Sequence, residues 1–348
     1  MPIRGQTMTD SVLLTLDQVH ATAVAVCRAH GCSAAQAAAI ADTVTAAEAD
    51  ECASHGLFRL RFYTDVIASG SVNPAAEPRV SDLAPAVVGV DGGLGFAPLA
   101  LQAGAGPLAE RARQLGIAAL AVRNVYHIAA LWPEVERLAE QGLVAFAFTG
   151  AISYVAPAGG RQPLFGTNPM AFGWPREGRP PMVWDQASSV SARGEIQLHL
   201  RDGRAIPEGW AMGPDGAPTT DPATALAGAQ LPFGGHKGSA IALMVELLAG
   251  ALVGDLFSFE AAAADTAGTG APRGGEFMIA IDPARCLARG DRRAQLAHAE
   301  TLFERLLAEP GTRLPGARRH AARQRSRRDG VRIPASLHQE LERLAAGP

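Results

Sequence analysis

Gly104-Ala105-Gly106-Pro107-Leu108-Ala109 matches G-x-G-x-x-A, the string of the dinucleotide-binding fingerprint. In a Rossmann fold that string follows a strand directly and opens a helix, with an acidic residue about twenty positions on. Here it lies inside an Ala-rich helical pattern that runs from Pro98 to Leu115 and ends at Gly116. The strand that follows, Ile117 to Val122, leads into Arg123 and Asn124 instead of an acid. Both conditions fail, so the chain reads as an α/β protein without a Rossmann fold.

Upstream, Val87, Val88 and Val90 make a short strand closed by the turn signal Asp91-Gly92-Gly93. Residues 11–34 read as two short helical patterns, the second ended by Gly31. Ser33 reads as the cap of a third helix, Ala34 to Ala49, whose Ile40, Val44 and Ala47 recur at helical spacing. Asp50, Glu51 and Gly56 interrupt that pattern, which puts Ser54 and His55 at or just past the helix end. With a further helix starting there, His55 and Arg59 share a face. An imidazole exchanges protons near neutral pH, and a guanidinium can grip a carboxylate through two parallel hydrogen bonds. A small carboxylate-bearing substrate suits that set. The alternative is a capping serine, a half-buried histidine and a solvated arginine.

Downstream, His127 follows a strand, and a helix starting near Ala129 and Pro133 offers backbone N–H groups to a phosphate. Leu143 to Thr149 and Met182 to Asp185 are strands, and Leu164 to Met170 is a polar turn. Gly194 to Leu200, with the hairpin Arg201-Asp202-Gly203, reads as a strand pair, and Pro207 to Pro222 as a long loop. Phe233-Gly234-Gly235-His236-Lys237-Gly238 opens a strongly apolar helix, a second candidate phosphate site. Phe277 to Ile281 is a closing strand, and two helices, Gln295 to Leu307 and Pro334 to Ala346, finish the chain. The arginines between them, at 318, 319, 323, 325, 327 and 328, form either a solvated face or a phosphate contact.

At 348 residues the chain exceeds one typical core. A net charge of -3 argues against a general binder of nucleic acid or anionic membrane. The four cysteines show no metal-ligand spacing and suit a reducing compartment. No apolar run is long enough to span a membrane, and Met1 to Thr9 reads as a loose tail without a signal pattern. The expectation is a cytoplasmic protein without metal.

Seven ordered motifs carry a resemblance over about Ser11 to Arg328: Ser54-His55-Gly56 with Arg59, HIAALWPEV (127–135), FGTNP (165–169), DQASS (185–189), PTTDP (218–222), GGHKG (234–238) and RLPGARR (313–319). In this order they resemble the malate/L-lactate dehydrogenase-like oxidoreductases, a family with its own non-Rossmann fold. Within it they look closest to the reductases of Δ1-piperideine-2-carboxylate and Δ1-pyrroline-2-carboxylate. The resemblance implies a mixed, mostly antiparallel central sheet in a cofactor domain, beside a mainly helical domain formed by both ends of the chain. The implied divisions are 10–70 with 295–348 as the helical substrate side, 71–125 as a small dimerisation subdomain, and 126–294 as the NADP-binding domain.

The resemblance further implies that His55 is the proton donor, with Ser54 and Glu195 in its relay; an Asp is usual where Glu195 stands. Arg59, Thr167, Ser188 and Ser189 would meet the substrate. The dinucleotide would lie on His127, Ile128, Ala129, Ala130 and Leu131, with Asp185, Gln186, Ala187, His236 and Lys237. Its phosphates would reach Arg313, Leu314, Pro315, Gly316, Arg318 and Arg319. The implied cofactor is NADPH, with NADH weaker, and the implied assembly a homodimer. Two other readings stay open: a 2-hydroxy-acid dehydrogenase of the same family, and a nucleotide-binding protein without activity.

Overall fold

The computed structural model describes residues 11–287 and 291–347, so the expected tail lies outside the described residues. The chain forms two compact units. One combines the residues up to Ala76 with those from Gly316 on, and the other runs from Glu77 to Pro315. In chain order the first unit holds β1 (Ser11–Leu14), α1 (Leu16–Ala29), α2 (Ala34–Ala49) and α3 (Leu60–Ala68). The second begins with β2 (Arg79–Ala84), β3 (Val87–Phe96), α4 (Ala97–Leu115), β4 (Ile117–Tyr126), α5 (Trp132–Glu140) and β5 (Val144–Thr149). It continues with β6 (Met170–Trp174), β7 (Met182–Gln186), α6 (Arg193–Arg201), β8 (Ala211–Met212), β9 (Pro218–Thr219), α7 (Pro222–Ala227) and β10 (Ala229–Gln230). It closes with α8 (His236–Val245), α9 (Ser258–Ala264), β11 (Arg273–Ile281) and α10 (Arg292–Ala308). The chain then returns to the first unit through α11 (Ala317–Asp329), β12 (Val331–Pro334) and α12 (Ala335–Ala345).

The first unit does not contain the two short helices expected before Ala34. Ser11–Leu14 is a strand, paired antiparallel with β12 from Ser11 opposite Pro334 to Leu14 opposite Val331. A single helix follows, started by a capping box: Thr15 accepts the Gln18 N–H while Gln18 accepts the Thr15 N–H. Ser33 does cap α2, accepting the Gln36 N–H at 3.2 Å. Val19, Val26, Ile40, Val44, Leu57, Leu60 and Ile333 are buried in this unit.

The second unit is built on a seven-stranded sheet in the order β2-β3-β4-β11-β5-β6-β7. Only β3 and β4 run parallel, linked by α4; every other neighbouring pair is antiparallel. The sheet is mixed and mostly antiparallel, as expected. β11, expected as a closing strand, is central, pairing with β4 on one side and β5 on the other. Asp91-Gly92-Gly93 is not a turn either: β3 runs through it to Phe96 with a shift of register. Residues 194–200 form helix α6 and not a strand pair. Their alternating Ile196, Leu198 and Leu200 mimic a strand, but Ile196 is buried with Ile206, Ala211 and Ala225 against α7.

The fingerprint-like string lies within α4, and its first glycine serves packing. A Cβ at Gly104 would come 2.6 Å from Leu120 Cδ1 and 3.1 Å from Val90 Cγ2, whereas one at Gly106 would meet nothing. Replacing Gly104 by Val should therefore destabilise the fold by about 1–3 kcal/mol through overpacking. Gly106→Ala on the exposed helix face should be neutral or stabilise by about 0.5–1 kcal/mol. Thermal unfolding of both variants checks the contrast; equal shifts of the same sign would refute this assignment of the two glycines.

Candidate active site

In the first unit α2 ends at Ala49, and Glu51 takes a left-handed φ of 57°. Two 3-10 turns follow, Ala53–His55 and Leu57–Arg59, separated by Gly56, and α3 begins at Leu60. His55 and Arg59 are thus not one turn apart on a single helix, as the spacing predicts. What joins this segment is a set of hydrogen bonds across Gly56. Ser54 Oγ and His55 Nδ1 share one of 3.1 Å, and Arg59 Nε donates to the Ser54 carbonyl at 2.7 Å. Arg59 Nη1 and Nη2 donate to no described residue, so the guanidinium keeps a pair of donors for a carboxylate. Burial pushes the pKa of Arg59 down, with Tyr63 acting the other way.

The turn is held from beneath by Glu48, a buried residue of α2 outside the sequence motifs. Its Oε1 accepts the Leu57 N–H at 2.7 Å, and a Cβ at Gly56 would run into its carboxylate. Gly56 is required by that close approach. Burial pushes the Glu48 carboxyl up, while the Leu57 amide pulls it down.

In the second unit four of the motifs converge on the end of β7. Asp185 Oδ2 accepts the N–H groups of Leu131 (2.8 Å) and Trp132 (3.1 Å). The helix start expected to hold a phosphate is thus already occupied by a carboxylate, which ties the 127–131 loop to the strand end. Ser188 donates from both N and Oγ to the Thr167 carbonyl, at 2.8 and 2.9 Å, and its own carbonyl accepts the Phe233 N–H at 3.0 Å. Ser189 Oγ donates to the Ser191 carbonyl at 2.7 Å. Both serine side chains are buried and hold loops together; neither offers a free hydroxyl. Gln186 is exposed and Ala187 half-buried beside them.

Gly238 packs where a Cβ would strike the backbone of Phe233 and Ser188, which brings the start of α8 to the same place. There Gly234 and Gly235 have φ of 56° and 62°, and His236 and Lys237 are exposed. An exposed cation at a helix start, entered through left-handed glycines, fits an anionic group such as a dinucleotide phosphate. Arg313, Leu314 and Pro315 close the second unit, and Gly316, at φ 81°, caps α11 ahead of Arg318 and Arg319. Glu195 is in the first turn of α6, its carboxylate 3.8 Å from His199 Nε2.

Several buried partners around this strand end, Glu246, Ser258 and Glu276, have no sign in the sequence motifs. Asn168, at φ 38°, donates to the Ala242 carbonyl and to Glu246 Oε1 (2.7 Å), and accepts from Ala151 N and Ser258 Oγ. Glu246 also accepts the Ser258 N–H at 2.9 Å, so the network is satisfied and pins the Thr167 loop. His127 Nδ1 lies 2.9 Å from Glu276 Oε2 in a fully buried pair. Burial alone lowers the His127 pKa, but Glu276, Glu134 and Asp185 raise it overall. The only local sign of these groups was an Asn before a Pro and acids inside apolar runs.

Glu134 on α5 is buried and pushed up to about 8, first by burial and then by the Glu276 charge, with His127 opposing. A carboxyl whose folded pKa is raised stabilises the fold below its unfolded pKa and loses that contribution as pH rises toward 8. Glu134→Gln should therefore raise the Tm relative to the parent at pH 8, with little difference near pH 5. Unfolding scans at both pH values test this; a difference independent of pH would refute it.

Comparison with known proteins places the chain in one family. A family model described as malate/L-lactate dehydrogenase matches residues 14–342. The chain belongs to the malate/L-lactate dehydrogenase family. It is 54% identical over 330 residues to a Δ1-pyrroline-2-carboxylate/Δ1-piperideine-2-carboxylate reductase of Pseudomonas aeruginosa, covering 95% of this chain and 98% of that one. It is 51% identical to a Δ1-pyrroline-2-carboxylate reductase of Ancylobacter novellus, covering 97% and 98%. The crystal structure of the Δ1-piperideine-2-carboxylate reductase of Pseudomonas syringae pv. tomato superposes with a TM-score of 0.90 at 41% identity, over 96% of this chain and 99% of that one. Membership of this malate/L-lactate dehydrogenase family makes the protein an oxidoreductase with a nicotinamide cofactor. No helix of the described residues is long and apolar enough to cross a membrane.

Proposed function

We propose that the protein reduces cyclic imino acids, Δ1-piperideine-2-carboxylate to L-pipecolate and Δ1-pyrroline-2-carboxylate to L-proline, with NADPH. The observation that carries this reading is the Ser54–His55–Arg59 turn, a proton donor and a carboxylate grip tied together by two hydrogen bonds. The names of the relatives favour C=N over C=O as the bond reduced.

In this reading Arg59 holds the substrate carboxylate through its terminal N–H pair and fixes the ring at a near-attack distance. The nicotinamide cofactor, when bound, supplies hydride to C2 of the ring. His55 gives a proton to the ring nitrogen as electron density collects there. Ser54, bonded to Nδ1, and Glu195 complete the relay that reprotonates it. Thr167, Ser188 and Ser189 shape the substrate side. His127 to Leu131, Asp185 to Ala187, His236 and Lys237 form the dinucleotide side, and Arg313 to Gly316 with Arg318 and Arg319 meet the phosphates.

We assign the protein to the cytoplasm, in keeping with its four free cysteines. A homodimer is assigned to the 71–125 segment, where the edge strand β2 exposes Val80 and Leu83. The test is NADPH oxidation by the purified protein with the two cyclic imines against pyruvate and oxaloacetate. Turnover of the imines with little of the oxo acids is expected. Turnover of the oxo acids alone would make the protein a 2-hydroxy-acid dehydrogenase.

A further inference from the structure

α11 carries six arginines, and two of them are committed to the exit of α2. Arg323 donates from Nε and Nη2 to the two carboxylate oxygens of Asp50, both at 2.7 Å, and the Asp50 side chain is fully buried. Arg325 makes the same fork with Glu51, at 3.1 and 2.8 Å, in a half-exposed setting. Two parallel bonds fix the angle of a carboxylate as well as its distance.

Asp50 is the C-cap of α2, and Glu51 is the residue at φ 57°. A glutamate keeps that conformation only where its surroundings hold it. Backbone bonds fasten the next residues to the last turn of α2, and one more joins them to the candidate catalytic histidine. Glu51 N donates to Glu48 O (3.0 Å), Cys52 N to Ala47 O (2.8 Å), and His55 N to Cys52 O (2.9 Å). Three residues separate Glu51 from His55, and Cys52, the first of them, accepts the His55 N–H, so a shift at Glu51 is passed on through Cys52.

We propose that Arg323 and Arg325 are positioning residues for His55. Paired with Asp50 and Glu51, they hold the chain in the turn that presents Ser54 and His55. The proposal rests on the reading of His55 as the proton donor. It also removes both arginines from the pool of phosphate ligands.

Arg323→Met would strand the buried Asp50 carboxylate and could unfold the unit, so Arg325→Gln is the decisive variant. Its pair is half-exposed, and losing it leaves the fold intact. The expected result is a fall in kcat for the imine of about 10- to 100-fold, as for a misplaced catalytic group, with an unchanged KM for NADPH. Arg325→Lys, which keeps the charge without the fork, recovers only part of the rate. In a His55→Ala background, Arg325→Gln costs nothing more, since no group remains to be positioned. Amide hydrogen exchange over residues 50–58 rises in Arg325→Gln and stays constant elsewhere.

An unchanged kcat, an equal proportional loss in the His55→Ala background, or unchanged exchange over 50–58 would each overturn the proposal. A parent protein that turns over no cyclic imine would overturn the functional reading instead. Hydrogen exchange would then decide by itself whether the two pairs hold the turn.

Discussion

Replacing His55 by Ala lowers kcat for the cyclic imine by about 10²–10⁴-fold, the usual contribution of a positioned general acid. The dissociation constant for NADPH should stay close to the parent's, because His55 is not among the residues assigned to the dinucleotide, most of which lie in the other unit. The His55 backbone stays in place through its bond to Cys52, so the loss is confined to the imidazole. Stopped-flow reduction at saturating substrate, with NADPH affinity measured by fluorescence, separates the two quantities. A kcat close to the parent's would remove His55 from the chemistry.

Arg59→Lys should be nearly as damaging, but through binding. Its Nε is already used on the Ser54 carbonyl, and the two terminal N–H groups are what a carboxylate can grip. Lysine has a single point of charge and no fork, so it can serve one of these partners but not both. Losing one half of a desolvated charge pair costs about 2–5 kcal/mol, and that should show in kcat/KM mainly as a raised KM for the imine. A release of the Ser54 carbonyl adds a smaller fall in kcat, since Ser54 is hydrogen-bonded to His55. An unchanged KM for the imine would show that the carboxylate is held elsewhere.

Much of the site was legible because its chemistry sits in short local motifs. Ser54, His55 and Arg59 fall within six residues, and their grouping survives although the helix expected to align them is two 3-10 turns. The glycine-led start of α8 at Gly234 to Lys237 was legible for the same reason, since glycines before a helix have a local meaning. Where a residue's partner lies far along the chain, legibility failed. Asp185 looked like a ligand for a dinucleotide, and it caps a helix that starts some fifty residues earlier. Ser188 and Ser189 looked like pocket hydroxyls, and both are spent on backbone carbonyls. Arg323 and Arg325 looked like phosphate ligands or solvated charge, and they are paired with the end of α2.

Taken by itself, the sequence determined that Gly104 to Ala109 belongs to a helix, that the fold is therefore not a Rossmann fold, and that a histidine and an arginine sit at the end of α2. Helix periodicity, caps and strand runs are set by neighbours within a turn or two, so a linear reading reaches them. Only the tertiary structure decided that β11 is the centre of the sheet, that β1 pairs with β12 from the opposite end of the chain, and that residues 194–200 are helical. It alone brought Glu48, Asn168, Glu246 and Glu276 into the interior. A buried polar group is stable only with its partners, and those partners are chosen by burial and strand pairing across the whole chain.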